Sequence, residues 1–284
     1  MQVLITGAAG RLGQILQAVW ADRDQPGFRP LWSARHASNR TFLPWDILSG
    51  PAPDLPKGCV ILHFAGQLRG TAPALAANAK MALLVCEAAK AASARHVFLA
   101  SSAAVYGPSA ADLFEVHAPD PRSDYGRAKL DMERAALCWA QTAGPDAPGV
   151  TCLRIGNVLG ADALFGHARR GHDMVVDRIP GQDGGPLRSY IGPHAFAQTL
   201  AGLVGRITAK ADMPNILNVT SPGAVFMADL LSAAEIGFRF GPSNLAVFPK
   251  VSLSTAKLAA LVPLGAMQAF DMVQDWRQLA ARLQ

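Results

Sequence analysis

Apolar residues along this chain fall into short continuous runs separated by stretches in which they recur every three or four positions. The runs at 2–6, 29–33, 41–45, 59–64, 96–101 and 150–155 have the length and character of buried strands. Between them, Ile15, Leu16, Val19 and Trp20 mark one helical face, and the stretch 72–94 is a longer apolar segment broken by Asn78, Lys80, Glu87 and Lys90. Those polar breaks predict an amphipathic helix rather than a membrane span. Strands alternating with helices predict an α/β fold on a doubly wound parallel sheet.

Beyond Gly160 the pattern degrades. Gly166, Gly171, Pro180, Gly181, Gly184, Gly185 and Pro186 predict a loop-rich lobe over 161–186. A strand at Leu187–Ile191, a helix from Pro193 to about Arg206 and a strand at Ile216–Val219 then return the chain to the sheet. The expected division is therefore a sheet domain of 1–160 plus about 187–220, and a small C-terminal lobe of about 161–186 plus 221–284. The carboxyl ends of parallel strands face such a lobe, and ligands bind in that crevice.

A chain of 284 residues, half of them hydrophobic and 17% charged, can bury a sizeable core. Its net charge of +5 and pI near 9.2 come from scattered residues, and with aromatics at 7% this is not a nucleic-acid surface. Cys59, Cys86, Cys138 and Cys152 stand at wide spacings, which predicts buried free thiols in a reducing compartment. With no basic, apolar leader the expected location is the cytoplasm. His167, His172 and His194 lack Cys or carboxylate partners at ligand spacing, so no metal site is expected. His63, inside an apolar run, reads as a hydrogen-bonded core residue.

Chemistry enters with Gly7-Ala8-Ala9-Gly10-Arg11-Leu12-Gly13, which follows the first strand, ending in Thr6, and opens the first helix. In that context Gly7 permits a tight turn, Gly10 lets backbone approach a pyrophosphate, and Gly13 allows helix and strand to pack closely. Farther on, Tyr125 and Lys129 lie one helical turn apart in Tyr-Gly-Arg-Ala-Lys, after Ser102 in Ser-Ser-Ala-Ala-Val-Tyr-Gly. An ammonium beside a phenol favours the phenolate, and a serine hydroxyl can hold a substrate oxygen.

Together these features resemble the extended short-chain dehydrogenase/reductase superfamily, in particular its NAD(P)-dependent epimerase/dehydratase family. The resemblance extends through Val60-Ile61-Leu62-His63-Phe64-Ala65-Gly66, Leu153-Arg154-Ile155-Gly156-Asn157 and Arg188-Ser189-Tyr190-Ile191, and covers most of the chain. It implies a Rossmann-like fold with Ser102, Tyr125 and Lys129 as the catalytic group. It further implies cofactor contacts from Thr6, Gly7, Gly10, Arg11, Leu12 and Gly13, from Phe64, Ala65 and Gly66 beside the nicotinamide ribose, from Asp46 and Ile47 at the adenine, and from Asn78 at the opening of its helix. Tyr125 and Lys129 are expected to touch the cofactor as well. Ser102, Ala103, Tyr106, Asn157 and Arg188 match substrate positions, Arg188 being equally readable as a structural arginine. A homodimer, formed through the 72–94 helix and the Tyr125 helix, is implied as well.

The second strand ends in Ser33-Ala34-Arg35 with no acid to hold a ribose 2′-hydroxyl. Ser33 and Arg35 can instead receive a 2′-phosphate, which favours NADP over NAD. Ala103 and Ala104 stand where dehydratases and decarboxylases of the family carry extra acid/base groups, so elimination and decarboxylation are disfavoured. What remains is hydride transfer to or from a sugar, a sugar derivative or a small carbonyl or alcohol; the alternatives are a nucleotide-sugar epimerase with retained NAD, and, from another class, a non-catalytic NADP-sensing regulator.

Overall fold

The computed structural model describes residues 1–21, 27–36, 42–168 and 173–280. In chain order the elements are β1 (Gln2–Thr6), α1 (Arg11–Trp20), β2 (Arg29–Ala34), β3 (Leu43–Pro44), β4 (Val60–His63), α2 (Ala72–Ala91), β5 (His96–Ser102), α3 (Asp124–Thr142), β6 (Gly149–Ile155), β7 (Asn157–Val158) and α4 (Ala163–Ala168). There follow β8 (Met174–Arg178), β9 (Leu187–Arg188), β10 (Tyr190–Ile191), α5 (Pro193–Thr208), β11 (Ile216–Val219), β12 (Val225–Phe226), α6 (Met227–Ala233), β13 (Phe238–Ser243), β14 (Lys250–Val251), α7 (Ala256–Leu261) and α8 (Ala269–Ala280).

The central sheet is parallel and seven-stranded, in the order β11-β6-β5-β4-β1-β2-β3. Its strands are apolar on both faces, as a parallel sheet covered on both sides requires. Leu4, Ile61, Val97 and Leu99 pack with Met81, Val85 and Cys86 of α2 and Met132 of α3. The alternate positions Val3, Ile5, Val60, Leu62 and Phe98 are equally buried, so the opposite face is covered too. Helix α2 is apolar and long enough by composition to cross a membrane, yet its Met81, Ala82, Val85, Cys86, Ala88 and Ala89 belong to this core.

Contacts divide the chain into two units. The first comprises Met1–Gly107, Pro119–Arg154 and Ala201–Leu217. The second comprises Pro108–Ala118, Ile155–Leu200 and Asn218–Gln284, and has its own core of Leu159, Phe165, Met174, Val176, Leu230 and Val273. Residues 187–200 therefore group away from the sheet domain expected for them. The reason is pairing: β10 runs parallel to β7, and β9 lies between β12 and β14. The 161–186 segment also holds more structure than its glycines and prolines imply, because β8 pairs with the distant β13. Cys59, Cys86 and Cys152 are buried free thiols, but Cys138 is exposed, contrary to expectation. The first position of the 41–45 run and His172 lie outside the described residues.

Candidate active site

The glycine turn is built as its spacing requires. Gly7 has φ +72°, and a Cβ there would meet the Ala65 nitrogen at 2.5 Å. A Cβ on Gly13 would meet the Ala8 carbonyl oxygen at 2.5 Å, so its absence lets α1 close against the turn that follows β1. Gly10 caps α1 without a side-chain hydrogen bond, and no acid occupies the first turn. The amide groups of that turn thus present a positive end suited to phosphate.

From this turn opens a cleft of about 310 Å³, walled by Thr6, Gly7 and Gly10, by Ser33 and Arg35 after β2, by Trp45, Asp46 and Ile47 after β3, and by Phe64, Ala65, Gly66 and Gln67 after β4. Arg11, Leu12, Gly13 and Asn78 do not line it. Asn78 lies in the body of α2 rather than at its opening; it donates to the Gln67 and Leu75 carbonyls at 3.0 and 2.9 Å and accepts from the Gln67 amide at 2.9 Å. It holds the wall in place. Trp45, Gln67 and Met81 line the cleft without having carried a motif of their own. The Arg35 and Asp46 side chains approach to 3.9 Å, both partly exposed.

At the end of β5, Ser102 caps a short turn, its Oγ accepting from the Ala104 amide at 3.1 Å. Ser123 caps α3 in the same way, accepting from Gly126 at 3.0 Å. A Cβ on Gly126 would lie 2.1 Å from the Ala104 carbonyl, so this glycine lets the start of α3 meet the end of β5. Tyr125 is thereby brought to Ser102, and the two side chains are hydrogen-bonded. Lys129, 5% exposed, lies with Nζ 5.9 Å from the Tyr125 ring centroid and donates to the Ala100 carbonyl at 2.7 Å.

The electrostatics correct one expectation. Burial raises the Tyr125 phenol above its usual value, outweighing the hydrogen bond from Ser102 that lowers it. The ammonium is engaged with a backbone carbonyl, and burial pushes Lys129 itself down to about 8, with Cys152 and Glu133 acting in the opposite direction. His63 is buried, 2.7 Å from Thr6 Oγ1, and is pushed down to about 3 by burial first and Lys129 second. It is a core residue, as expected.

The expected substrate residues are spread across both units. Ala103 follows Ser102 in the short turn. Tyr106 is 3% exposed, with the Arg154 guanidinium 4.7 Å from its ring centroid, so it packs inward rather than presenting an open wall. Asn157 and Arg188 belong to the second unit, where Asn157 Nδ2 donates to the Ser189 carbonyl at 3.3 Å and Arg188 Nη1 to the Leu187 carbonyl at 2.9 Å. Burial lowers Arg188 from its ordinary value.

Known proteins resemble this chain in sequence and in fold. A UDP-glucose 4-epimerase of Corynebacterium glutamicum is 27% identical over 255 residues, covering 78% of this chain and 75% of that protein. Among solved structures, a UDP-glucose 4-epimerase from Brucella ovis in complex with NAD aligns with a TM-score of 0.80 at 19% identity, over 98% of each chain. A UDP-glucose 4-epimerase from Stenotrophomonas maltophila, with bound NAD and formylated UDP-arabinopyranose, aligns at 0.79 and 20% over 99% of this chain and 98% of that one. The model of the NAD dependent epimerase/dehydratase family matches residues 3–180, and with the glycine cleft and the Ser102–Tyr125–Lys129 arrangement in one unit, the chain belongs to that family of enzymes.

Proposed function

We propose that this enzyme transfers a hydride to or from a sugar, a sugar derivative or a small carbonyl or alcohol compound, with Tyr125 as its proton-transfer residue. One observation carries the reading: the Tyr125 phenol, hydrogen-bonded to Ser102, stands beside a buried Lys129 in the unit that holds the glycine cleft. A nicotinamide dinucleotide, when bound, supplies the hydride chemistry. The residues fit such a group, since Cβ atoms on Gly7 and Gly66 would collide at 2.5 and 2.7 Å with the very groups that shape the cleft wall. Thr6, Gly7, Gly10, Ser33, Arg35, Asp46, Ile47, Phe64, Ala65 and Gly66 are the residues that would hold it.

With its pKa raised, Tyr125 keeps its proton at neutral pH and is set to donate it to a carbonyl oxygen held by Ser102. Lys129 supports the negative charge that this donation leaves on the phenol. Ala103 and Ala104 add no further acid or base, which is why elimination is not part of the proposal. A cofactor-reduction screen over sugars, uronates, nucleotide sugars and small alcohols tests it, with Tyr125→Phe as the control expected to abolish turnover.

A nucleotide-sugar epimerase with retained NAD is the second reading, favoured by the 27% identity to a 4-epimerase. Protein that keeps its dinucleotide through gel filtration and interconverts sugar epimers, with no net change in reduced cofactor, would establish it. For the dinucleotide we favour NADP, because β2 ends without a carboxylate and the exposed Arg35–Asp46 pair is weak enough for a phosphate to displace.

A further inference from the structure

Three consecutive residues at the end of β5 are each engaged by a different turn of α3. Ser102 hydrogen-bonds Tyr125, the Ala100 carbonyl accepts from Lys129 Nζ at 2.7 Å, and Ser101 Oγ donates to Glu133 Oε1 at 2.5 Å. Tyr125, Lys129 and Glu133 are spaced by four, so they rise along one helical face. On its far side Glu133 is clamped by Arg154 of β6, whose Nε donates to Oε1 and Oε2 at 3.0 and 3.2 Å and whose Nη2 donates to Oε2 at 2.7 Å. Glu133 and Arg154 are each 1% exposed.

An ion pair this dry is poor evidence of stability, because apolar side chains of the same volume fill such a space without the cost of desolvating two charges. Its position is more telling than its strength. We propose that Glu133 is a positioning residue, which sets a fixed negative charge one turn behind Lys129 and holds the ammonium in register with the end of β5. The proposal rests on the reading of Tyr125 and Lys129 as the proton-transfer pair.

Four titratable groups interact with Lys129 from the elements around it: Tyr125 and Glu133 on its own helix, His63 of β4 and Cys152 of β6. Burial keeps three of them neutral near pH 7, with the phenol and the Cys152 thiol raised and His63 lowered to about 3. Glu133, held by Arg154, is the anion of the set. Cys152 and Glu133 both oppose the burial that lowers Lys129 to about 8, but the raised thiol carries no charge near neutrality, so without Glu133 the ammonium loses its proton closer to neutral pH.

The test is a direct titration of Lys129 by side-chain NMR in labelled protein without added cofactor, with Lys129→Met to assign the signal. Glu133→Gln is expected to lower the midpoint by about one pH unit, and the alkaline limb of kcat should fall with it while KM changes less than about twofold. Glu133→Asp, which keeps the charge, should restore most of both. Should Glu133→Gln fail to fold, Glu133→Gln combined with Arg154→Met removes both buried charges and is expected to show a downward shift of smaller size, because the Arg154 cation leaves with the anion. A Lys129 midpoint that coincides with the parent in a folded variant overturns the proposal, as does a shifted midpoint with an unmoved kcat profile. Parental turnover in Tyr125→Phe would instead sink the proton-transfer reading itself.

Discussion

Two buried histidines stand on adjacent central strands, one at the carboxyl edge of the sheet and the other at its amino edge, and they show what does and does not make a site. His63 ends β4 and pairs with Thr6 at 2.7 Å; His96 opens the adjacent β5 and pairs with Thr151 at 2.9 Å. Burial pushes the first down to about 3 and the second to about 4. Judged by titration they are near twins. The difference lies in their surroundings, since the His63 edge adds Lys129, Tyr125, Ser102 and a glycine-lined cleft, whereas the His96 edge carries an open groove between Arg95, Lys210 and Asp212. A shifted pKa marks burial at both edges; convergent polar groups and room for a ligand distinguish one of them.

The sharpest way to break this contrast is Tyr125→Phe, which should reduce kcat on an active substrate by about a thousandfold while leaving cofactor affinity, measured by fluorescence, nearly unchanged. His96→Gln at the other edge should leave turnover as it is. If both variants turn over alike, the two edges are not functionally distinct.

Next in size is the response to acid, where the edges should agree. Both histidines titrate in the folded state below their ordinary value of 6.5, so between that value and the folded pKa the unfolded chain binds the extra proton. Stability is therefore complete above about pH 6.5 and drains away as pH falls toward 4, by up to about 3 kcal/mol for His96. Urea unfolding at neutral and acid pH should show that His96→Gln flattens this dependence. A slope unchanged in that variant would show that His96 does not carry the dependence.

Glycines offer a smaller but cleaner test. Gly7→Ala combines φ +72° with a 2.5 Å contact to Ala65, and should weaken dinucleotide binding by about tenfold or more, roughly 1.4 kcal/mol or above. Gly144→Ala, at φ +87° with nothing within 4 Å, should cost about 1 kcal/mol of stability and leave binding intact. The smallest effect is expected from Arg35→Ala, which should lower NADP affinity by several-fold to about tenfold and spare NAD. Equal affinities before and after the change would remove the argument for a 2′-phosphate.

Much of the first unit was legible because its signals are local. The strand, glycine turn and helix that form the cleft lie within Gln2–Trp20, and Tyr125 and Lys129 are neighbours on one helix. The sequence places Asn78 at a motif position but does not reveal that its amide braces Gln67, because residue type does not show which way hydrogen bonds run. Trp45 and Met81 went unnoticed for the opposite reason: apolar residues in apolar company carry no signal until the backbone folds a cleft beside them.

The second unit was harder to read because its order comes from partners far apart in the chain. β8 pairs with β13, and His194, which has no carboxylate at local spacing, meets Asp275 of α8, which also accepts from the His194 amide at 3.1 Å. No local pattern anticipates such contacts.

By itself, the sequence determined the α/β alternation, the glycine turn and the side chains of the proposed proton-transfer site, since each rests on periodicity or on a short motif. Tertiary structure alone decided the state of that site. The phenol rises rather than falls because α3, packed against the core, takes Tyr125 out of water, and burial is a property of the packed chain.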